Sequence, residues 1–294
     1  MIGRVTSQTI QRSTLANLQT NLSSVAKLQG QLSSGKKVAK ASDDPVHAAQ
    51  LMSLRGEQTR NTQYERNVQD ATSWLTTIDS ALQTASTNLR KARDLVVQGG
   101  NDSLPQVAKD ALAVEIRELQ AGLMQTANTT FMGRTVFAGT SAAGEAFDST
   151  TYTWTGNDAA HVDRAVADTA EVRVDSNGKA VFGEGSGSLF ALLDDIATTL
   201  ESGGNPTSSL DQIDKFATNI RTELSSVGAR QLTIQNATTR LSDAGLNLET
   251  QVAGIEDIDL AQVILQLQSQ QVAYEASLGA ASKALTPSLM EFLR

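Results

Sequence analysis

The chain carries 24 Lys and Arg against 32 Asp and Glu over 294 residues, a net charge of -8, with two His and no Cys. The missing thiols exclude disulfides, thiolate nucleophiles and thiolate metal sites. Only 4% of residues are aromatic and mean hydropathy is -0.21, so a length suited to about two domains is expected to form extended helices packed along a narrow seam.

Residues 1–20 lack the apolar core of a cleaved secretory signal, and no run in the chain is long enough to span a bilayer. No membrane partner is expected, and the protein is expected to be soluble or exported by another route. Leu15, Leu18, Leu22, Val25 and Leu32 fall on one stripe of a helix, interrupted at Gln29. Residues 1–42 contain Arg4, Arg12, Lys27, Lys36, Lys37 and Lys40 and no acid. Six cations spread over that length without aromatics do not make a nucleic-acid surface. An acid-free, Ser-rich start also fits a mitochondrial presequence, but the apolar spacing continues through it as one helix.

The stretch "LSSGKKVAKASDDPVHAA", residues 32–49, stops a helix and starts another. Gly35 tolerates the left-handed conformation that closes helices, and Lys36, Lys37 and Lys40 oppose the negative end of the helix dipole. Asp44 precedes Pro45, which pushes it out of helical geometry and into that of an N-cap. Pro45 then fits the first helical position, where its missing N–H costs nothing. Gly35, Asp44 and Pro45 are therefore the expected hinge.

From Val68 the apolar positions step by three and four through Ala71, Leu75, Ile78, Leu82, Ala85, Leu89 and Ala92 to Val96. This predicts a seam of roughly 40 Å packed left-handedly on a partner helix. "GGNDSLP" ends it, and Pro105 opens the next helix. Val107, Ala111 and Val114 with Leu112, Ile116, Leu119 and Leu123 predict a broad apolar face there.

Between residues 131 and 188 the helical period vanishes. Short segments such as "TVFAGT", "YTWTG" and "EVRVDSNGKAVF" read as strands, with Asn177-Gly178 as a hairpin turn. A short amphipathic helix follows at 189–200, and a long helical pattern runs from about residue 208 to the end. Leu260, Ile264, Leu267, Gln271, Tyr274, Leu278, Ala281 and Leu285 form its terminal stripe. Residues 241–294 hold seven acids against Lys283 and Arg294. One stripe is too narrow to stabilise a lone helix in water, so the two ends are expected to bury their stripes on each other, basic arm against acidic arm.

Chemistry is hard to find. His47 and His161 stand apart, so no metal site and no catalytic residue is expected. Asp43-Asp44, Asp194-Asp195 and Glu256-Asp257 are adjacent pairs that point apart on helices. "GEGSG" at 183–187 lacks the Lys-Ser/Thr of a phosphate loop and reads as linker. "NDSLP" does not have the acid spacing of a calcium loop. Trp154 and Tyr152 suggest a sugar-stacking face, although such rings on a small β module are more often its core.

The separated segments "LSSGKKVAKASDDPVHAAQL", "NTTFMGRTVFAGT", "VFGEGSGSLFALLDDIATTL" and "SLMEFLR" occur in an order that resembles the flagellin superfamily over nearly the whole chain. Within it they look more like the hook-filament junction branch. Asp43-Asp44 is followed by Pro45 as in that branch, rather than by Ala-Ala-Gly as in flagellins, whereas the final Arg294 is similar to flagellin endings. The resemblance implies a mainly α, elongated helical bundle with long coiled-coil terminal arms and a small inserted β-rich domain. The expected divisions are an N-terminal assembly arm (1–44), a bundle in two parts (45–138 and 189–249), an inserted β-rich domain (139–188) and a C-terminal assembly arm (250–294).

It also implies a non-enzymatic, cofactor-free structural subunit of the bacterial flagellum, exported to the extracellular flagellum through the type III channel without a cleavable signal peptide. Its implied partners are the preceding hook-associated protein, flagellin, neighbouring copies of itself and a flagellar export chaperone. The implied arms are disordered in the free subunit and paired in the tube. Leu15, Leu18, Leu22, Val25, Leu32, Leu260, Ile264, Leu267, Leu278, Leu285, Phe292 and Leu293 are the expected assembly contacts. Filament flagellin is the alternative within the family, and a glycan-binding adhesin on a helical stalk is the alternative outside it.

Overall fold

A computed structural model describes residues 7–285. Helix α1 spans Ser7–Ser34, α2 Pro45–Gly99, α3 Gln106–Ala127, α4 Gly178–Phe182, α5 Leu189–Glu201, α6 Leu210–Glu256 and α7 Leu260–Leu285. The strands are β1 Thr130–Phe131, β2 Arg134–Thr135, β3 Asp163–Ala167 and β4 Ala170–Arg173. The described residues divide into two compact units. One takes the chain up to Arg60 and from Ala244 onward; the other is Asn61–Asp243.

The second unit contains the large core. All nine residues of the Val68–Val96 seam are at most 2% exposed. On α6 Ile213, Ile220, Val227, Ile234 and Leu241 are buried at intervals of seven, a heptad position held over five repeats that keeps one edge of the helix turned inward. Helix α5 buries Leu189, Phe190, Leu193, Ile196 and Leu200, and packs against α3. Here the expected broad face of α3 is corrected. Leu112, Ile116 and Leu123 are buried, while Val107, Ala111 and Val114 lie on the exposed side. One helix has too little perimeter to bury both sets against a single neighbouring layer. Pro105 is the N-cap of α3 and not its first residue.

The segment between α3 and α5 has less strand than its alternating sequence predicts. β1 and β2 form a two-residue antiparallel pair, β3 and β4 a second pair with a bulge at Ala165/Ala167, and Phe147 and Trp154 share a single bridge. Asn177-Gly178 is no hairpin turn. Asn177 caps α4, its Oδ1 accepting the Ala180 amide at 3.1 Å, because an Asn side chain serves an N-cap as well as a turn. Gly178 fits where it does because it has no side chain. Its amide donates to the Phe137 carbonyl at 2.9 Å, and a Cβ there would sit 2.7 Å from that oxygen. Gly178→Ala is therefore expected to destabilise this unit by about 1–3 kcal/mol, the usual cost of overpacking, read as a lowered midpoint in urea denaturation followed by circular dichroism.

Phe137, Phe147, Phe182 and Phe190 interlock with ring centroids 5.3–5.9 Å apart, three pairs edge-to-face and Phe182 stacked on Phe190, and join one core with α2, α3, α5 and α6. Trp154 belongs to that core. It is 8% exposed, and its indole N–H donates to the Phe137 carbonyl at 2.9 Å. A ring buried in this way has no face to offer a sugar, which removes the stacking residue on which the glycan-binding alternative stood.

Candidate assembly interface

The first unit holds the two terminal helices. α1 and α7 run antiparallel: Gly35 and Lys36 meet Asp257 and Ile258 at one end, and Asn21 meets Gln270 and Ser277 farther along. On α1 the half-buried line is Thr14, Leu18, Asn21, Val25, Leu28 and Leu32; on α7 the inward line is Val263, Leu267, Gln270, Tyr274, Ser277 and Ala281. Both step by three and four, as a two-helix seam requires.

The seam is polar in its middle. The Asn21 Nδ2 donates to Ser277 Oγ at 3.1 Å, and its Oδ1 accepts from Gln270 Nε2 at 3.3 Å. Such a pair inside an apolar seam fixes register, since any slip leaves the amide unpartnered. Among the described residues no ion pair joins α1 to α7. The expected meeting of basic and acidic arms is therefore not seen along the two helices; Lys36, just after α1, instead pairs with Glu256, the last residue of α6.

The placement of the expected contacts follows. Leu18, Val25, Leu32 and Leu267 lie in the seam, half-buried. Leu15, Leu22, Leu260, Ile264 and Leu278 do not: each stays exposed, Leu15 and Leu260 at 56%. Leu285, Phe292 and Leu293 lie outside the residues whose side chains are described. At about 100° per residue, the exposed leucines of α1 and the exposed set Leu260, Ile264 and Leu278 of α7 are rotated from their seams by about 60–100° in the same sense. In an antiparallel pair, rotations of the same sense bring both sets to one side. Where the resemblance implies arms disordered in the free subunit, the single chain here has both as helices paired with each other, and the pair displays a second apolar face.

The segment 35–44 follows α1 as a strap. Gly35 adopts φ +70° directly after Ser34, as a C-terminal helix stop requires. Asp44 caps α2: its Oδ1 accepts the amides of Val46 at 3.2 Å and His47 at 3.1 Å, and its Oδ2 lies 2.5 Å from His47 Nδ1. The hydrogen bond from His47 and these amides hold the Asp44 carboxyl below its ordinary value near 3.8. A depressed carboxyl contributes stability above its unfolded pKa and loses it as pH falls through the folded one. Below the strap, Val38, Ala48 and Leu51 form a small apolar cluster flanked by Val252 and Ile255.

Glu256 closes this corner. Its carboxylate receives Lys36 Nζ at 2.5 Å and Arg55 Nη2 at 2.7 and 2.8 Å, and its side chain is 6% exposed. The Lys36 hydrogen bond leads the effects that lower its pKa from the ordinary 4.5, against the opposing effect of burial. The break between α6 and α7 at residues 257–259 is not marked in the sequence pattern, which runs on through it; only the adjacent acids Glu256, Asp257 and Asp259 hint at it. Among the described residues no cluster of His, Asp or Glu has the makings of a metal site, and no helix is long and apolar enough to cross a membrane.

Comparison with known proteins agrees with this architecture. The model of the bacterial flagellin N-terminal helical region matches residues 5–142, and that of the C-terminal helical region matches 210–293. Flagellar hook-associated protein 3 of Salmonella typhimurium is 26% identical over 93% of this chain and 94% of its own length. Flagellin of Bacillus subtilis is 26% identical over 90% of both. The solved flagellar junction protein of Legionella pneumophila shares the fold, with a TM-score of 0.58 and 18% identity over 71% of this chain and all of that one. The two helical regions of the family bracket the segment that carries β3 and β4, and the chain belongs to the flagellin family.

Proposed function

We propose that this subunit is exported to the extracellular flagellum and joins the hook-associated region to the flagellin filament through its terminal arms. The observation that carries the reading is the second apolar face of the α1–α7 pair, with Leu15, Leu22, Leu260, Ile264 and Leu278 uncovered in a single chain. The seam consumes one stripe per helix, and the remaining stripe packs on neighbouring copies, on the preceding hook-associated protein below and on flagellin above. Leu285, Phe292 and Leu293 extend that contact. Gly35, Asp44 and Pro45 act as the hinge between the arm (1–44) and the bundle that begins at 45, and 250–294 is the second arm. Export through a type III channel, with a chaperone on the C-terminal arm, accords with a chain without cysteine. The role is mechanical, and no catalytic step is assigned.

Filament flagellin is the second reading, favoured by the similarity to the Bacillus subtilis protein. Overproduction of the full chain without other flagellar proteins separates the two. A junction subunit remains monomeric in sedimentation and shows no filaments by electron microscopy. Long helical filaments of this chain alone make it a flagellin and overturn the proposal.

A further inference from the structure

Two crossings of the chain lie side by side at the base of the arms. The strap leaves α1 at Gly35, and the chain turns from α6 into α7 at residues 257–259. They are tied by two backbone bonds, Lys37 N–H to the Glu256 carbonyl at 2.6 Å and Ile258 N–H to the Gly35 carbonyl at 3.2 Å, with a bridge between Lys36 and Asp257. Gln31 Nε2 of α1 also donates to the Lys37 carbonyl at 3.1 Å, and Lys40 N–H donates to Asp43 Oδ2 at 3.0 Å within the strap. Its apolar footing is Val38 on Ala48 and Leu51, and beside that footing opens a cavity of about 250 Å³ reaching Met52, Arg55 and Glu256. A cavity next to so small a core means that dispersion contributes little to closure here.

The polar tie is of another kind. Glu256 is buried to 6% beneath two cations that are themselves about half exposed, Lys36 at 47% and Arg55 at 54%. A carboxylate taken out of water in this way is stable only while its partners remain in place. Lys36 comes from the strap, Arg55 from the third turn of α2, and Glu256 from the last residue of α6. One side chain therefore joins three separate segments of the first unit.

We propose that Lys36, Glu256 and Arg55 form a latch: closed, it fixes the strap and the α6–α7 break to the start of α2, and open, it frees the two crossings to pivot together. The pivot is then double-stranded, and both arms change direction as one body with their seam intact. The backbone bonds of Lys37 and Ile258 lie next to the latch and report its state.

The test is hydrogen exchange with mass spectrometry on the full chain, comparing the native protein with Glu256→Gln, which keeps the shape and removes the charge. Exchange across 35–38 and 256–259 is expected to rise tenfold or more, while 68–96 stays at its native rate. Lys36→Met, which leaves the Arg55 pair, is expected to give a smaller rise in the same two peptides. Unchanged exchange at 35–38 and 256–259 in Glu256→Gln overturns the latch, as does a native strap that exchanges without protection. Equal acceleration through 68–96 also overturns it, because the triad would then be a general stability element.

Discussion

A variant carrying both Leu15→Asp and Leu278→Asp is expected to fold and to be exported, yet to leave flagella without attached filaments and cells without motility. Both residues are exposed in the single chain, so charge there desolvates nothing and should change the monomer's stability by less than about 0.5 kcal/mol. On the proposed assembly the same positions become buried between copies, where a carboxylate without a partner costs several kcal/mol. Repeated in every copy, that cost outweighs any single contact. The measurement pairs a thermal melt of the purified chain with swimming assays and electron microscopy of a strain lacking the native copy. A variant that melts early, or one that swims normally, contradicts the assignment.

Phe182→Ala is expected to cost about 3–5 kcal/mol, the range for deleting a fully buried aromatic side chain. Phe182 is 0% exposed and touches Phe137, Phe147 and Phe190. The direction of the effect is less telling than its reach. Because these rings share a core with Leu75, Ile78, Leu82 and Leu89 of α2, the loss should lower the unfolding midpoint of the helices of residues 61–243, seen at 222 nm. A strand segment folding independently would leave that helical transition in place while its own near-ultraviolet signal vanished. One shared shift of both signals is the expected result.

Much of this was legible in the sequence where one force acts alone. The Val68–Val96 seam obeys its spacing without exception because every position answers only to burial. The stop at Gly35 and the restart at Pro45 are local, set by backbone conformation and one capping side chain. The α1–α7 seam was half legible. The three-and-four spacing of apolar residues places it at Leu15, Leu22, Ile264 and Leu278, whereas the helices meet one position over, at Thr14, Asn21, Val263 and Ser277. An apolar count treats Asn21 and Ser277 as surface, although together they satisfy each other inside the pair. Residues with two apolar stripes to cover, one for each kind of partner, give a pattern that a single chain does not resolve.

The strand segment was the least legible part. Asn177-Gly178 has the composition of a turn, yet its place is decided by the Phe137 carbonyl and the Phe147 ring that close on Gly178 from distant sequence. Trp154, whose alternation with small residues suggested an open face, is drawn in by the same carbonyl. The pairing of Glu256 gave no signal, since its partners Lys36 and Arg55 are some two hundred residues away.

The decisive measurement uses the absence of native cysteine, which makes any single introduced thiol unambiguous. Leu22→Cys places one on the exposed face of the arm pair and Leu18→Cys one in its seam. With a maleimide probe, the Leu22→Cys chain should label fast when purified and become protected in intact flagella, while Leu18→Cys should label slowly in both. A Leu22→Cys thiol that reacts equally fast in the free chain and in the flagellum would leave that face in water, and the arm pair would then not be what holds the junction together.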